Sequence, residues 1–522
     1  MLLRPSLSSG KLLILSTLLF VALANTRLYS HLFAFAKEGM NPLFFTSLPL
    51  VHASLLFLIL LPFSSRFTLK PFLSIAIGIA ALSSYFMNRY GTVISHEMVQ
   101  NVMQTDRGEA LELINTDLLL HLFVWVVFPL ALLWSIRLKK ESWSEALFFR
   151  LKWLIGIIFF LLLVITTLGK SYFSFFRNHS DFRLYTNPTY PLYSTLKYFA
   201  LQHQLPTPQT IQAIGMDAHM ASHEEKKRLV LFIVGETARA ANFSLGGYLR
   251  ETNPLLAKQE VLFLPQFYSC GTATAISLPC LFSDLTQSQY SDKKGRYREN
   301  LLDVLQRAGV RIIWHGNNSG FCKGVCNRIA DTLNYSGEVF DEKLLEGLDQ
   351  KLEKKYQDTF IVLHQEGSHG PTYYKRYPSA FAHFTPACNT SELQKCSQEE
   401  LINVYDNTIL YTDFLLSRSI EWLKNYQDRY QVALIYVSDH GESLGENGIY
   451  LHGLPYTIAP DEQKRVGALA WIGKDLDSYK QALKSRQNDQ LSHDYLFSSL
   501  LHLANVATTV YNPDLDFFLP KD

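Results

Sequence analysis

Charge is what this sequence has little of. Only 18% of its 522 residues are Asp, Glu, Lys or Arg, and 48 basic side chains stand against 47 acidic ones, a formal net charge of +1. A nucleic-acid binder would carry a basic excess, so that class is excluded. A hydrophobic share of 48% excludes a disordered chain, and so little charge excludes a long coiled coil. Internal repeats and low-complexity tracts are absent. Cysteine is scarce as well: six residues, all between Cys270 and Cys396. The most apolar stretches, by contrast, all lie before residue 170. At roughly 150 residues per domain the length suits two or three domains. The two distributions divide the chain into a membrane part over residues 1–170 and a soluble C-terminal part.

Five uncharged stretches mark the membrane part: 12–25 (continuing after Arg27 to 36), 39–65, 71–88, 118–136 and 153–169. A span needs about 20 mostly apolar residues, with ~17 still sufficient, and each stretch reaches that with its flanks. Arg4, Lys11 and the run Ala22-Leu23-Ala24 would also suit a cleaved signal peptide, but the further spans favour a membrane helix. Basic residues set the orientation. Arg4, Lys11, Arg66, Lys70, Arg137, Lys139, Lys140, Arg150 and Lys152 fall on one side, and mainly Lys37, Arg89 and Arg107 on the other. The first side is therefore expected in the cytoplasm and everything after Lys170 outside it. The cysteines agree: none lies in a span, and they cluster as 270/280, 322/326 and 388/396, which in an oxidising compartment reads as local disulfides. Spacing alone does not give the pairing. A zinc site on Cys322 and Cys326 is disfavoured, because no second Cys pair or His-x-x-x-His follows. Residues 171–225 join the two parts. Their aromatic segment 172–198 is expected along the bilayer surface, where aromatics concentrate.

From residue 229 onward short apolar runs alternate with helical patterns. Strands are expected at 229–234, 310–314, 359–364, 432–437 and 466–472, and helices at 299–308, 341–357 and 401–425. This predicts an α/β domain with a mostly parallel sheet over residues 226–522. Ligands in such folds bind beyond the carboxyl ends of the strands. The first run ends at Gly235-Glu236-Thr237, and the fourth at Ser438-Asp439-His440-Gly441-Glu442. Alone, each is an ordinary turn or helix cap. Together they place carboxylates and an imidazole where a divalent metal could bind. Between them lies Ser269-Cys270-Gly271-Thr272-Ala273-Thr274-Ala275-Ile276-Ser277, in which Ser269, Thr272, Thr274 and Ser277 are equal candidates for a metal-activated hydroxyl nucleophile. His364, His369, His452 and Lys323 could add donors and positive charge for a phosphoryl group.

These motifs resemble one family. Gly235-Glu236-Thr237-Ala238-Arg239, the Ser-Cys-Gly-Thr-x-Thr-Ala loop, His364-Gln365 with His369-Gly370-Pro371, and Ser438-Asp439-His440-Gly441-Glu442-Ser443 are similar to those of the lipid A phosphoethanolamine transferases. That family includes the mobile colistin resistance enzymes and belongs to the alkaline phosphatase superfamily. The resemblance covers essentially the whole chain. It implies five transmembrane helices followed by an α/β alkaline phosphatase-like, or sulfatase-like, domain. It implies Thr274 as the nucleophile, Glu236, Thr274, Asp439 and His440 as ligands of a catalytic zinc, and His369 and His452 near a second metal or the phosphate. Lys323 and Glu442 match further active-site positions, and the disulfides would be Cys270–Cys280, Cys322–Cys326 and Cys388–Cys396. Asn101, Thr105 and Glu109 resemble residues that hold the ethanolamine head group, and their spacing of four puts them on one helix face. The loop from Asn317 to Lys323 is one residue longer than the usual pattern, so Asn318 is given no role.

The resemblance implies transfer of phosphoethanolamine from phosphatidylethanolamine to lipid A or lipooligosaccharide through a phosphoethanolamine-threonine intermediate at the zinc. It also implies cationic peptide (polymyxin) resistance, in a multi-pass protein of the bacterial inner membrane whose catalytic domain faces the periplasm. The alternative is a metal-dependent phosphatase or phosphodiesterase of the same superfamily, but a hydrolase of soluble substrates would not need five spans beside its site. A transporter or sensor would carry ionisable groups within its spans, and only His52 and His121 lie there.

Overall fold

The computed structural model describes residues 6–36, 42–105, 107–203, 210–318, 320–335, 337 and 339–520, with the backbone alone at Ala34, Phe35, Ala36, Arg107, Glu109 and His203. The chain forms two compact units. One comprises Met1–Val99 and Ile114–Gln202, the other Gln100–Leu113 and His203–Asp522.

The first unit is helical. Four of its helices, Pro42–Phe63, Leu69–Tyr90, Thr116–Ser135 and Trp143–Asn178, are long and apolar enough to cross a membrane. A fifth span is reached if Ser9–Leu23 and the helix beginning at Thr26 count as one, bent by 55°. Asn25 supplies the physical reason for the bend. Its amide donates to the carbonyls of Phe20 (2.9 Å) and Asn187 (2.7 Å), and its oxygen accepts the Asn187 amide at 2.8 Å. The side chain thereby caps the end of the first helix, whose Phe20 carbonyl also keeps the Ala24 amide at 3.0 Å, and ties it to the Asn187 segment. Trp143–Asn178 has 36 residues, about 54 Å at 1.5 Å per residue against a ~30 Å hydrocarbon core. Its last two turns carry the first aromatics of segment 172–198; a 3-10 turn, Ser180–Tyr185, and a helix, Thr189–His203, carry the rest.

The basic loops of this unit share one end. Ser6 and Leu7 pair in parallel with Arg137 and Leu138. Lys70 Nζ donates to the Ile136 carbonyl, and Arg150 Nε to Ser64 Oγ at 2.9 Å.

The second unit is built on a seven-stranded sheet. In chain order the strands are β1 (Lys227–Gly235), β2 (Leu262–Phe263), β3 (Arg311–Gly316), β4 (Thr332–Asn334), β5 (Thr359–His364), β6 (Tyr430–Ser438) and β7 (Ala468–Ile472). Their order in the sheet is β2-β7-β6-β1-β5-β3-β4. The pairs from β6 to β4 are parallel, while β7 and β2 run antiparallel at one edge. Side chains alternate between two cores, as the period of two requires. Val230, Phe232 and Val234 pack into one with the helices Leu301–Arg307 and Leu496–Leu503. Leu229, Leu231 and Ile233 pack into the other with the 27-residue helix Gln398–Lys424. Strands buried on both faces are near-continuously apolar, which is why they were legible. The helix expected over 341–357 is instead a 3-10 turn, Asp341–Leu345, and a short helix, Leu348–Glu353, because Gly347 between them sits at φ 75°. A left-handed residue ends one helical turn and reorients the next.

Candidate active site

The sheet register builds the centre of the site. Ser438 pairs with Gly235, so Asp439 and Glu236 emerge side by side, one residue beyond β6 and β1. Both are fully buried, as is His440. His440 Nδ1 donates to the Gly441 carbonyl at 2.9 Å, which leaves Nε2 facing Glu236 Oε1 at 3.2 Å. Asp439 Oδ1 accepts the amides of Thr237 (3.3 Å) and His440 (2.7 Å). Its Oδ2, 3.5 Å from His440 Nε2, is buried and has no hydrogen-bond partner among the described residues.

One ligand atom from each of Glu236, Asp439 and His440 lies within 4.8 Å of the others. Two buried carboxylates and an imidazole nitrogen that a cation could take in place of a proton suit a divalent metal. The electrostatics point the same way. Burial, followed by the charge of Glu236, pushes Asp439 up to about 7. Burial opposes protonation of His440, but Asp439 and Glu236 outweigh it and raise the ring to about 9. Burial would raise Glu236 too, yet His440 and then His369 and His452 hold it below the usual carboxylate range. The cluster thus draws positive charge into a fully buried place.

Four hydroxyls were equal in the sequence, and tertiary structure separates them. Ser269, Thr272 and Ser277 donate to the carbonyls of Gly271, Leu454 and Asp439. Thr274 Oγ1 alone turns to the acidic cluster, 3.2 and 3.1 Å from the Glu236 oxygens and 3.2 Å from His440 Nε2. Thr274 is also the first residue of the helix Thr274–Leu281. First-turn amides lack intrahelical partners, and the helix dipole adds partial positive charge, so negative charge at this oxygen is stabilised. The Cys270–Cys280 disulfide ties the loop before this helix to the helix itself.

Comparison with known proteins gives the family. Residues 228–506 match the sulfatase family, and residues 52–203 match the phosphoethanolamine transferase EptA/EptB family. Over 528 aligned residues the chain is 39% identical to phosphoethanolamine transferase EptA of Escherichia coli (strain K12), covering 97% of this chain and 96% of that one. It is 40% identical over 464 residues to phosphatidylethanolamine transferase Mcr-1 of Escherichia coli, covering 85% of each. Among solved structures, the integral membrane protein lipooligosaccharide phosphoethanolamine transferase A of Neisseria meningitidis matches with a TM-score of 0.91 at 32% identity, covering 98% of this chain and 99% of that one. The chain belongs to the phosphoethanolamine transferases.

Other expected residues of this transferase gather around the same centre. The His452 ring lies 4.3 Å from that of His440 and 5.5 Å from that of His369. Its Nδ1 meets Glu442 Oε2 at 2.8 Å, and Tyr373 donates its hydroxyl to Glu442 Oε1. Lys323 reaches the Gln104 carbonyl at 3.1 Å, within the loop closed by the Cys322–Cys326 disulfide. Cys388 pairs with Cys396. His364 does not supply positive charge: burial lowers it to about 4, and its Nδ1 faces the Phe321 carbonyl at 2.6 Å.

Asn101 lies on the helix His96–Gln104, and Thr105 Oγ1 donates to the Asn101 carbonyl at 2.8 Å. Among the described residues neither side chain hydrogen-bonds to the Thr274 cluster. The side chain of Glu109 lies outside the described residues. Three residues later, Glu112 anchors this segment. It accepts from Arg376 Nη2 at 2.7 Å and from the Thr372 hydroxyl, and Arg376 Nε in turn holds the His369 carbonyl at 2.8 Å.

Three contributors escaped sequence reasoning. Asn318 Nδ2 donates to Glu236 Oε2 at 2.8 Å and to the Gln365 carbonyl at 3.1 Å. The resemblance points to an asparagine contact ahead of Lys323, but the extra residue in this loop left Asn318 without a role. His493 accepts the Cys270 amide at Nδ1 (3.1 Å) and meets the Ser438 carbonyl at Nε2 (3.0 Å), clamping the Thr274 loop to β6. Tyr373 is the third, and only its partner Glu442 was flagged.

Proposed function

We propose that this transferase moves phosphoethanolamine from phosphatidylethanolamine to lipid A or lipooligosaccharide through a covalent adduct on Thr274. The carrying observation is that Thr274, alone of the four loop hydroxyls, faces Glu236 and His440 at 3.1–3.2 Å. Glu236, Asp439, His440 and Thr274 Oγ1 would hold zinc. Bound there, zinc lowers the pKa of the hydroxyl and neutralises charge growing on the phosphate.

In the first half-reaction Thr274 Oγ1 forms a bond to the donor phosphorus. The phosphorus–oxygen bond to diacylglycerol breaks, and the threonine proton ends on the diacylglycerol hydroxyl. The positive helix end and Lys323 stabilise the phosphate oxygens, with His369 and His452 beside them at the phosphate or a second metal. Asn101, Thr105 and Glu109 would take the ethanolamine ammonium. In the second half-reaction an acceptor oxygen forms the new bond as Thr274 Oγ1 leaves and regains a proton.

The donor and acceptor named for Mcr-1 and for the Neisseria meningitidis protein support this reading. So do helices suited to a lipid phase. Disulfides confined to the second unit and basic loops gathered at one end of the first support a catalytic unit in the periplasm. Masking of lipid A phosphate with a cationic group would lower attraction for polymyxin.

The test is to give the purified zinc-loaded protein phosphatidylethanolamine without acceptor. Intact-mass and peptide measurements should find one phosphoethanolamine on Thr274 and one diacylglycerol released. Thr274→Ala should yield neither. An adduct in that variant, or one mapped to Thr272 or Ser277, overturns the assignment.

A further inference from the structure

We propose that a basic groove leading away from Thr274 binds an anionic group of the acceptor, with Lys293 and Lys294 as its specificity-determining residues. A cavity of about 590 Å3 begins at Ala275, next to Thr274, and at Lys323. One wall is the helix Thr274–Leu281, which presents Ala275 and Pro279 to the cavity, one turn apart on a single face. The facing wall is the disulfide-closed loop of Lys323. Arg298 lines this cavity and also a second one of about 640 Å3, whose lining includes Lys293 and Lys294 but no acidic residue. The two cavities thus share Arg298 as a lining residue, the first starting beside the nucleophile's helix and the second supplying a positive mouth.

The charge state of that mouth decides what fits. Arg298 is already neutralised by Asp284 at 2.7 Å. Lys294 Nζ donates to the Gln289 carbonyl at 2.7 Å, and among the described residues neither it nor Lys293 meets a carboxylate. Both are exposed. Two unneutralised ammonium groups beside a cavity form a point-charge site for phosphate. The donor head group is a zwitterion with no net charge and gains little there. A phosphorylated glycolipid keeps anionic groups after docking, and these complement the lysines. The inference rests on the transferase reading above and deepens it: while one acceptor oxygen attacks the adduct, a second anionic group is held at the mouth.

The two half-reactions provide the experiment, run on the full-length, zinc-loaded protein in nanodiscs. Lys293→Gln/Lys294→Gln should form the Thr274 adduct from phosphatidylethanolamine within about twofold of the parent rate. Its discharge to bis-phosphorylated lipid A should slow about tenfold, with the deficit shrinking as salt rises. Lys293→Arg/Lys294→Arg should retain most of the discharge rate. Unchanged discharge overturns the inference, and an equal loss in both half-reactions assigns the groove to the donor instead. If the parent protein forms no adduct, the transferase reading fails by itself. Salt-sensitive binding of bis-phosphorylated over dephosphorylated lipid A, lost in the double glutamine variant, then still tests the groove; equal binding by parent and variant refutes it.

Discussion

The two units of this transferase turn opposite faces to their surroundings. In the first, large apolar side chains point outward: Phe148 is 70% exposed and Phe159 69%. The polar pair Asn25 and Asn187 is buried, each spending its amide on backbone carbonyls. In the second, Leu231 and Phe232 at the sheet centre are fully buried. Its buried polar groups concentrate at the strand ends, as Glu236, Asp439 and His440. One rule covers both, since apolar surface leaves water and unsatisfied polar groups leave hydrocarbon. The difference lies in the solvent, and the exposed helix faces mark where a bilayer stands. Buried polar groups tie helices together in one unit and gather two carboxylates and an imidazole at the strand ends in the other.

The comparison breaks most sharply at the buried charges. Asp439→Ala should lower phosphoethanolamine transfer by about a thousandfold or more, since it removes a ligand position from the cluster. Metal analysis and thermal unfolding should show lost zinc with the sheet intact; full zinc with full turnover would contradict the site.

A pair of surface changes then tests the solvents themselves. Phe159→Asp places a carboxylate on an outward face within the long apolar helix and should cost about 3–4 kcal/mol of membrane insertion. Leu249→Asp alters a side chain that is 100% exposed in the catalytic unit and should shift stability by less than about 0.5 kcal/mol. Equal effects in insertion and unfolding assays would refute the contrast.

Acid gives a third, smaller effect. Burial holds His493 down to about 3 and His364 to about 4 in the folded protein, whereas an unfolded histidine titrates near ~6.5. Their contribution to stability is therefore complete above about pH 6.5 and lost as pH falls from there toward 4 and 3. Each takes up a proton only on unfolding, so below about pH 6.5 each histidine lowers stability by up to about 1.4 kcal/mol per pH unit. Chemical denaturation across that range checks it, and His493→Gln should flatten part of the slope.

The smallest effect concerns Glu112. Glu112→Gln removes one charge from the contact with Arg376 and should raise KM for the donor by roughly tenfold, with kcat less affected. A loss confined to kcat would mean that Glu112 does not position the Asn101–Thr105 segment.

Much of this was legible because local rules and tertiary needs coincided. The strands β1, β5 and β6 are buried on both faces and read as continuous apolar runs, so their ends, and hence Glu236 and Asp439-His440, could be located. The choice of Thr274 was legible only by resemblance. Four hydroxyls within nine residues differ in where the chain turns them, and that depends on the Ser438 and Leu454 regions far away in sequence. The break at Gly347 was hidden inside a helical pattern, and the bend at Asn25 needed Asn187.

By itself, the sequence determined which segments leave water, which residues alternate across a sheet, and which carboxylate and imidazole side chains end up at strand termini. Those are properties of hydrophobicity and of backbone period, and both are local. Only the tertiary structure decided which hydroxyl faces the carboxylates, that Asn318 braces Glu236, that His493 ties the Cys270 amide to the Ser438 carbonyl, and that Glu112 meets Arg376 across 264 positions. A hydrogen bond requires two atoms within about 3 Å, and no local pattern fixes that distance between segments so far apart.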